Sequence, residues 1–460
     1  MSKKIGMISL GCPKNQVDAE IMLARLAQNG FEITDDVDGA DAVIVNTCGF
    51  IEDAKKEAIE NILDMVELKN EGVIGKIIVT GCLAERYREE IAKEFPEVDA
   101  VVGIGSNGDI CEICKNALES DETIESFADK ACLPLNGERM LTTPSYFAYL
   151  KIAEGCSNHC TYCAIPSIRG EFRSRQPEDI IKEAQDLVRS GVKEIVVVAQ
   201  DTTRYGEDLY GKSALPALLT SLAKIDGLEW IRVLYCYPER ITDELIDAVA
   251  NNDKIVKYFD IPIQHASAPV LKRMNRVGDM DSLLSLVEKI RAKIPDVVLR
   301  TTLITGFPGE TEEDFETLSE FVEKAQFDRL GCFAYSAEEG TPAAKLPDQI
   351  DEDVKKERGE AIMEQQFRIF ERLNEQNIGK VLRTVVEGYD AYTDTYYGRT
   401  WRDAPEIDGT VNFTCGYELN EGDFVDVEIM GINEYDLIGL VYFTGIPLEK
   451  SIFPCWEERY

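Results

Sequence analysis

The sequence predicts an α/β protein in three parts: an N-terminal parallel α/β domain, a central six-stranded partial (β/α) barrel and a small C-terminal β-barrel. Three observations lead there. Compact apolar runs alternate with helical patterns from the start of the chain, the order expected of a parallel sheet. A second, longer series of the same kind begins near residue 146. Beyond about residue 378 the helical period gives way to short runs between Gly-rich turns, as in a small barrel of the oligonucleotide-binding type. The length of 460 residues agrees, since about 150 residues per domain gives roughly three domains.

In the first domain, residues 1–115, strands are expected at 5–10, 42–46 and 76–80, with helices at 16–28 and 52–69. Each strand runs into a cysteine: Leu10-Gly11-Cys12, Asn46-Thr47-Cys48 and Thr80-Gly81-Cys82. The spacings, 36 and 34 residues, are each about one βα unit. Ligands of open α/β sheets sit beyond the carboxyl ends of the strands, so three thiols leaving one edge can meet at one site. The plainer account is three independent buried cysteines, a common fate of free thiols.

Residues 116–141 are rich in charge, Ser, Thr, Pro and Gly, and read as a linker. In the central domain, 142–375, six strands are expected at 147–153, 194–199, 230–235, 258–263, 297–304 and 329–334. Helices at 177–190, 243–251, 280–293 and 311–325 lie between them, and chemistry belongs at the C-terminal strand ends. A charged helix over 352–377 leads to five short strands at 381–389, 396–400, 410–414, 424–430 and 437–443. The terminal barrel then covers 376–448, and the tail 449–460, with Phe453 and Trp456, packs back.

Composition narrows the function. Apolar residues at 44% and charged residues at 29% exclude a disordered or collagen-like chain. Lys and Arg number 49 against 85 Asp and Glu, a net charge of −36 that disfavours a bare polyanion binder. No apolar run approaches the ~20 residues of a membrane span, so a soluble protein with no membrane partner is expected. The six residues before Gly11-Cys12 fall short of the about 7 to 15 of a secretory core, and read as a buried first strand. Thirteen cysteines cannot all pair, and without an export signal a cytoplasmic location follows, where cysteine clusters point to metal or catalysis. Only His159 and His265 are present, which disfavours histidine-based zinc hydrolysis; His265 reads as satisfying a hydrogen bond near a strand end.

The strongest local signal is Cys156-Ser157-Asn158-His159-Cys160-Thr161-Tyr162-Cys163, directly after the first strand of the central domain. Three thiolates from one loop can hold three corners of a cubane iron–sulfur cluster. Zinc competes, although a structural zinc site wants four closed ligands and the loop offers His159 as its only further donor, beside Cys160 and with poor reach. Cys111-Glu112-Ile113-Cys114 is a C-x2-C pair in a helical pattern with no second pair, and reads as structural. Cys132, Cys236, Cys332, Cys415 and Cys455 read the same way.

The C-x3-C-x-aromatic-C loop opening a βα series resembles the radical S-adenosylmethionine (SAM) superfamily. With the three upstream cysteines and a terminal barrel like a TRAM domain, nearly the whole chain resembles the methylthiotransferases. That resemblance implies two 4Fe-4S clusters, one held by Cys156, Cys160 and Cys163, the other by Cys12, Cys48 and Cys82. Further matching stretches are Gly170 to Arg175, Ala199-Gln200-Asp201-Thr202-Thr203 and Gly306-Phe307-Pro308-Gly309-Glu310-Thr311. The last is a strand-to-helix turn where backbone can approach a ligand and the helix start favours an anion. Tyr162, Gln200, Asp201, Gly306, Phe307 and Pro308 are the expected SAM-pocket residues, ordinary turn and capping chemistry being the alternative. No side-chain acid or base is assigned.

Two branches of that family differ in substrate, an adenosine of transfer RNA or an aspartate of ribosomal protein S-twelve. The run from Tyr397 to Gly409, with Gly398-Arg399-Thr400 and Asp403-Ala404-Pro405-Glu406-Ile407-Asp408-Gly409, resembles the ribosomal-protein branch. Residues 378–460 hold 6 basic and 16 acidic residues, net −10, a surface suited to a basic protein rather than to phosphates. The expected activity is insertion of a methylthio group at the β-carbon of that aspartate, with an electron donor such as flavodoxin or ferredoxin. The transfer RNA enzyme and a non-catalytic iron–sulfur binding or redox-sensing protein are the alternatives.

Overall fold

The structure, a computed structural model, describes residues 2–442. The chain divides into two compact units, Met1–Ile369 and Phe370–Tyr460.

The first unit opens with a six-stranded parallel sheet: β1 (Lys4–Ser9), β2 (Glu32–Thr34), β3 (Ala42–Thr47), β4 (Lys76–Gly81), β5 (Ala100–Val102) and β6 (Ile124–Ser126), in the order β2-β1-β3-β4-β5-β6. Alternating side chains build a core on each face. Val43, Val45, Ile77 and Val79 pack against Ala58, Ile62 and Met65 of the helix Glu52–Asn70. Ile5, Ala42, Ile44 and Ile78 pack against Met22 and Leu26 of the helix Pro13–Gln28 and against Ile113 and Ala117 of the helix Ile110–Glu119. Strands β2, β5 and β6 are additions to the sequence reading. Each is three residues long, too short to show a period, and β6 lies within the stretch expected to be pure linker.

The central strands follow: β7 (Phe147–Lys151), β8 (Ala153–Glu154), β9 (Arg173–Ser174), β10 (Glu194–Val198), β11 (Trp230–Val233), β12 (Tyr258–Gln264), β13 (Val298–Thr305) and β14 (Arg329–Ala334). Six of them form two parallel three-stranded sheets, β11-β10-β7 and β12-β13-β14. Hydrogen bonds from the Ile231 N–H to the Lys254 carbonyl and from the Cys236 N–H to the Asp260 carbonyl join the two into the expected open arc. The single strand expected at 147–153 divides: β8 leaves the arc and pairs antiparallel with β9, Ala153 opposite Ser174 and Glu154 opposite Arg173. That two-residue ribbon closes the base of the cysteine loop.

In the second unit β15 (Val381–Asp390), β16 (Thr395–Thr400), β17 (Val411–Thr414), β18 (Phe424–Asn433) and β19 (Asp436–Val441) close a barrel in the order β15-β16-β17-β19-β18. Val386, Val411, Phe413, Val427 and Ile429 fill it. The Arg399 run folds on itself: buried Arg399 donates to Glu387 at 2.6 Å and to the Asp403 carbonyl, while Asp403 accepts from Thr400 and Asp408 from the Ala404 N–H. Those residues therefore shape a barrel loop. The expected strand end at Phe443, the tail and Cys455 lie outside the described residues. No helix among the described residues is long and apolar enough to cross a membrane.

Candidate functional site

Strands β1, β3 and β4 are neighbours, with Ser9 opposite Asn46, Asn46 opposite Thr80 and Thr47 opposite Gly81. Their parallel ends therefore deliver Cys12, Cys48 and Cys82 to one edge. Asn15 ties the ends together, its side-chain amide reaching the Leu10 carbonyl at 2.8 Å, while the Asn46 amide returns to the Asn15 carbonyl at 3.0 Å. Two glycines permit the approach. A Cβ on Gly11, whose φ is +89°, would lie 2.8 Å from the Cys48 sulfur, and one on Gly49 would lie 2.7 Å from the Leu83 Cα. Burial opposes ionisation of Cys12, but Lys14 and Arg169 outweigh it and bring the thiol below its ordinary value. Burial and the neighbouring Cys12 push Cys48 up; burial takes Cys82 to about 12 against the pull of Arg169.

Cys156, Cys160 and Cys163 follow β8, the first two buried and the third half-buried. The loop is pinned on all sides: Cys156 N–H to the Gly170 carbonyl, Thr161 N–H to the Met274 carbonyl, and Asn158 to Asp201 at 2.8 Å. The Cys160 sulfur lies 3.3 Å from the Tyr237 hydroxyl. Burial raises Cys156 to about 11, with Asp201 and Cys160 adding to it, and Cys163 to about 12, with Cys160 and Cys156 adding to it. Among the described residues, no three His, Cys, Asp or Glu side chains are grouped as around a single metal ion. Within each trio the thiols are neighbours at electrostatic range.

A buried ionic network connects the trios. Arg169 ends the helix Ile165–Arg169, which begins two residues after Cys163. Its guanidinium reaches Asp18 at 2.5 Å, Glu154 at 3.3 Å, Asn15 at 3.0 Å and the Cys82 sulfur at 3.4 Å. Lys151 binds Asp18 and, at 2.7 Å, Glu154. Burial alone would raise Glu154, but Lys151 and Arg169 hold it down to about 2. So many desolvated charges persist only because each is answered.

Known proteins place this arrangement. Residues 4–103 match Uncharacterized protein family UPF0004, residues 150–322 the Radical SAM superfamily and residues 378–441 the TRAM domain. The ribosomal protein uS12 methylthiotransferase RimO of Acetivibrio thermocellus is 53% identical over 96% of this chain and 99% of its own. Those of Clostridioides difficile and Geobacter sulfurreducens are each 52% identical, over 96% and 95% of this chain and 99% and 98% of theirs. The chain belongs to the uS12 methylthiotransferase family. Among solved structures, the radical S-adenosylmethionine methyltransferase TsrM from Kitasatospora setae shares the fold, with TM-score 0.55, 14% identity, and coverage of 72% of this chain and 73% of that one.

For a uS12 methylthiotransferase family member, the donors suit the implied groups. Each trio offers three thiols, and the first has the glycine cradle that a Cβ would fill. Of the expected SAM-pocket residues, Tyr162 meets Phe307 edge to face at 6.5 Å, and burial with Cys160 beside it raises the Tyr162 phenol well above its usual range. Gln200 donates to Glu154 at 2.9 Å, while its buried Oε1 has no hydrogen-bond partner among the described residues. Asp201 is buried, which raises its pKa, and is held by Asn158 and Thr203.

The Gly306 turn is closed from within the chain. Its anion is internal: the Gly306 and Phe307 N–H groups donate to Glu310, Thr311 and Asp314 form a capping box on the following helix, and Lys355 crowds Gly306. Pro308 is buried in the same turn. His265 accepts from the Ser267 N–H at 2.9 Å and stands 3.3 Å from Glu310, a local role near the end of β12. Cys111 and Cys114 sit on the helix Ile110–Glu119, with Cys114 in the core. Arg169, Asp18 and Glu154 escaped the sequence reading, since nothing in the spacing ties Asp18 to Lys151, 133 residues on, or to Arg169, 151 residues on.

Proposed function

We propose that the chain transfers a methylthio group to the β-carbon of an aspartate of ribosomal protein uS12 by radical SAM chemistry in the cytoplasm. What carries the proposal is a full-length likeness at about 50% identity to enzymes named for that reaction. The C–H bond concerned has no usable acidity, so side-chain base catalysis cannot open it and bound cofactors must supply a one-electron route. Cys156, Cys160 and Cys163 would hold the cluster that engages SAM; Cys12, Cys48 and Cys82 would hold a second, beside the sulfur to be transferred. Tyr162, Gln200, Asp201, Gly306, Phe307 and Pro308 line the SAM side. The chain's own work is to keep both trios dry and in fixed relation through Arg169, Asp18, Glu154 and Lys151.

The domain limits proposed are 1–115, 116–141, 142–375 and 376–448, followed by the tail 449–460. The last domain, with its acidic excess, meets the basic substrate protein. A small electron carrier such as flavodoxin or ferredoxin supplies electrons. The test is anaerobic reconstitution with iron, sulfide, SAM and a reductant, followed by mass spectrometry of uS12 and of transfer RNA offered separately. A methylthio mass gain on an aspartate of uS12 is expected. A gain on the RNA alone overturns the substrate, and no SAM cleavage at all overturns the chemistry.

A further inference from the structure

A cation taken out of water is costly unless a carboxylate is at hand. Most buried cations here meet that need: Lys151 and Arg169 share Asp18 and Glu154, Arg175 has Glu183 and Arg232 has Glu194. Lys14 does not. It is 7% exposed, and among the described residues no carboxylate touches its ammonium. Its neighbours are the face of Tyr235, with Nζ 3.5 Å from the ring centroid, and the Cys12 thiol, whose ionisation it favours.

The position of that pair is informative. Lys14 follows Cys12 by two residues, whereas Tyr235 lies past the C-terminal end of β11, on the edge of the arc from which the second trio's loop also departs. Tyr235 is held at φ 61°, an unfavoured backbone for a bulky residue, by an N–H bond to Asp260 and by Thr202, which donates to its carbonyl. Two residues on, Tyr237 meets the Cys160 sulfur at 3.3 Å. Arg276 stacks on that ring at 4.2 Å and donates to the Pro262 carbonyl, again without a carboxylate in contact among the described residues. Tyr235-Cys236-Tyr237 thus runs from one trio towards the other, with a buried cation on each ring.

We infer that Lys14, braced on Tyr235, receives the side-chain carboxylate of the substrate aspartate. This rests on the function proposed above and adds the residue that selects an acid. The carbon to be altered bears that carboxylate, so the group must enter the dry space by the trios, where an unanswered anion is expensive. An ammonium resting on an aromatic face is held in place without a carboxylate of its own, and remains available to an incoming one. An asparagine side chain has the same shape but no charge to offer.

The test uses the reconstituted full chain with uS12 and with uS12 whose target aspartate is changed to asparagine. Equilibrium binding, methylthio product and iron per chain are measured for wild type, Lys14→Met and Lys14→Arg. Wild type should favour the aspartate form by about tenfold or more, the cost of an unpaired charge in a dry site. Lys14→Met should lose that preference in binding, and Lys14→Arg should recover part of it. Equal binding of both forms by wild type overturns the inference even if no variant folds. So does a Lys14→Met protein that keeps the preference but loses iron, which would assign the charge to the first trio's cluster. If wild type acts on neither form, the proposed function fails instead.

Discussion

The guanidinium of Arg169 lies 3.4 Å from the Cys82 sulfur, reaching the first thiol trio from a helix that starts two residues after the second. One side chain therefore ties the first trio to the segment that carries the second. It also binds Asp18 and Glu154, so the carboxylates that hold it are themselves shared with Lys151.

Removing that guanidinium should be severe. Arg169→Met leaves Asp18 and Glu154 with one cation between them, and breaking a buried pair costs about 3–5 kcal/mol. Chemical denaturation of the metal-free protein should register that loss, and iron bound per chain should fall with it. Arg169→Lys restores charge without the fork that spans Asn15, Asp18 and Cys82, so only partial recovery is expected.

Cys48→Ala should separate the two trios functionally. Iron per chain should drop to about half, since one of two equal clusters loses a ligand. SAM cleavage should persist in part while methylthio transfer to uS12 stops. Cys160→Ala should instead abolish cleavage. Full retention of both activities in Cys48→Ala would show that the upstream thiols are no cluster site.

The parallel fold and the strand-end thiols were legible because both are local signals: an apolar run, a glycine, a cysteine, repeated at one βα spacing. The closed terminal barrel was legible for the same reason. The short strands β2, β5 and β6 were not, because three residues carry no period and their place in the sheet is set by their neighbours. Nor was the ionic network, whose members come from the helix Pro13–Gln28, strands β7 and β8 and the helix Ile165–Arg169, and meet only through packing. The bond from the Gly306 N–H to Glu310, four residues on, was not legible either, because a glycine-rich turn does not say which acceptor its N–H groups will meet.

Gly11→Ala tests the cradle. The new methyl would stand 2.5 Å from the Cys48 Cβ, on a backbone whose φ of +89° suits glycine alone. Either the Cys48 strand end shifts or the turn after β1 does. Substitution where the native φ is incompatible destabilises by more than about 1 kcal/mol. Loss of iron from the first trio, seen as a fall to about half per chain with SAM cleavage retained in part, is the expected readout. Gly30→Ala, also at positive φ but with open space around it, should lower stability without altering iron content.

Glu310 provides a pH test away from the thiols. Burial disfavours its charge, but His265 at 3.3 Å, the Gly306 N–H at 2.9 Å and Arg358 at 2.7 Å hold the carboxyl below its ordinary value. A depressed folded pKa means that the unfolded chain binds the proton more readily. The stabilisation is then complete above the unfolded value of about 4.3 and fades as pH falls through the folded one. Glu310→Gln keeps the shape and removes the charge. The stability gap between wild type and variant should be greatest near neutrality and should narrow steadily below about pH 4, as the wild-type carboxyl takes up its proton. Denaturant titrations from pH 7 down to about pH 3 measure the gap, and a gap that stays constant across that range would show that shape rather than charge secures the turn.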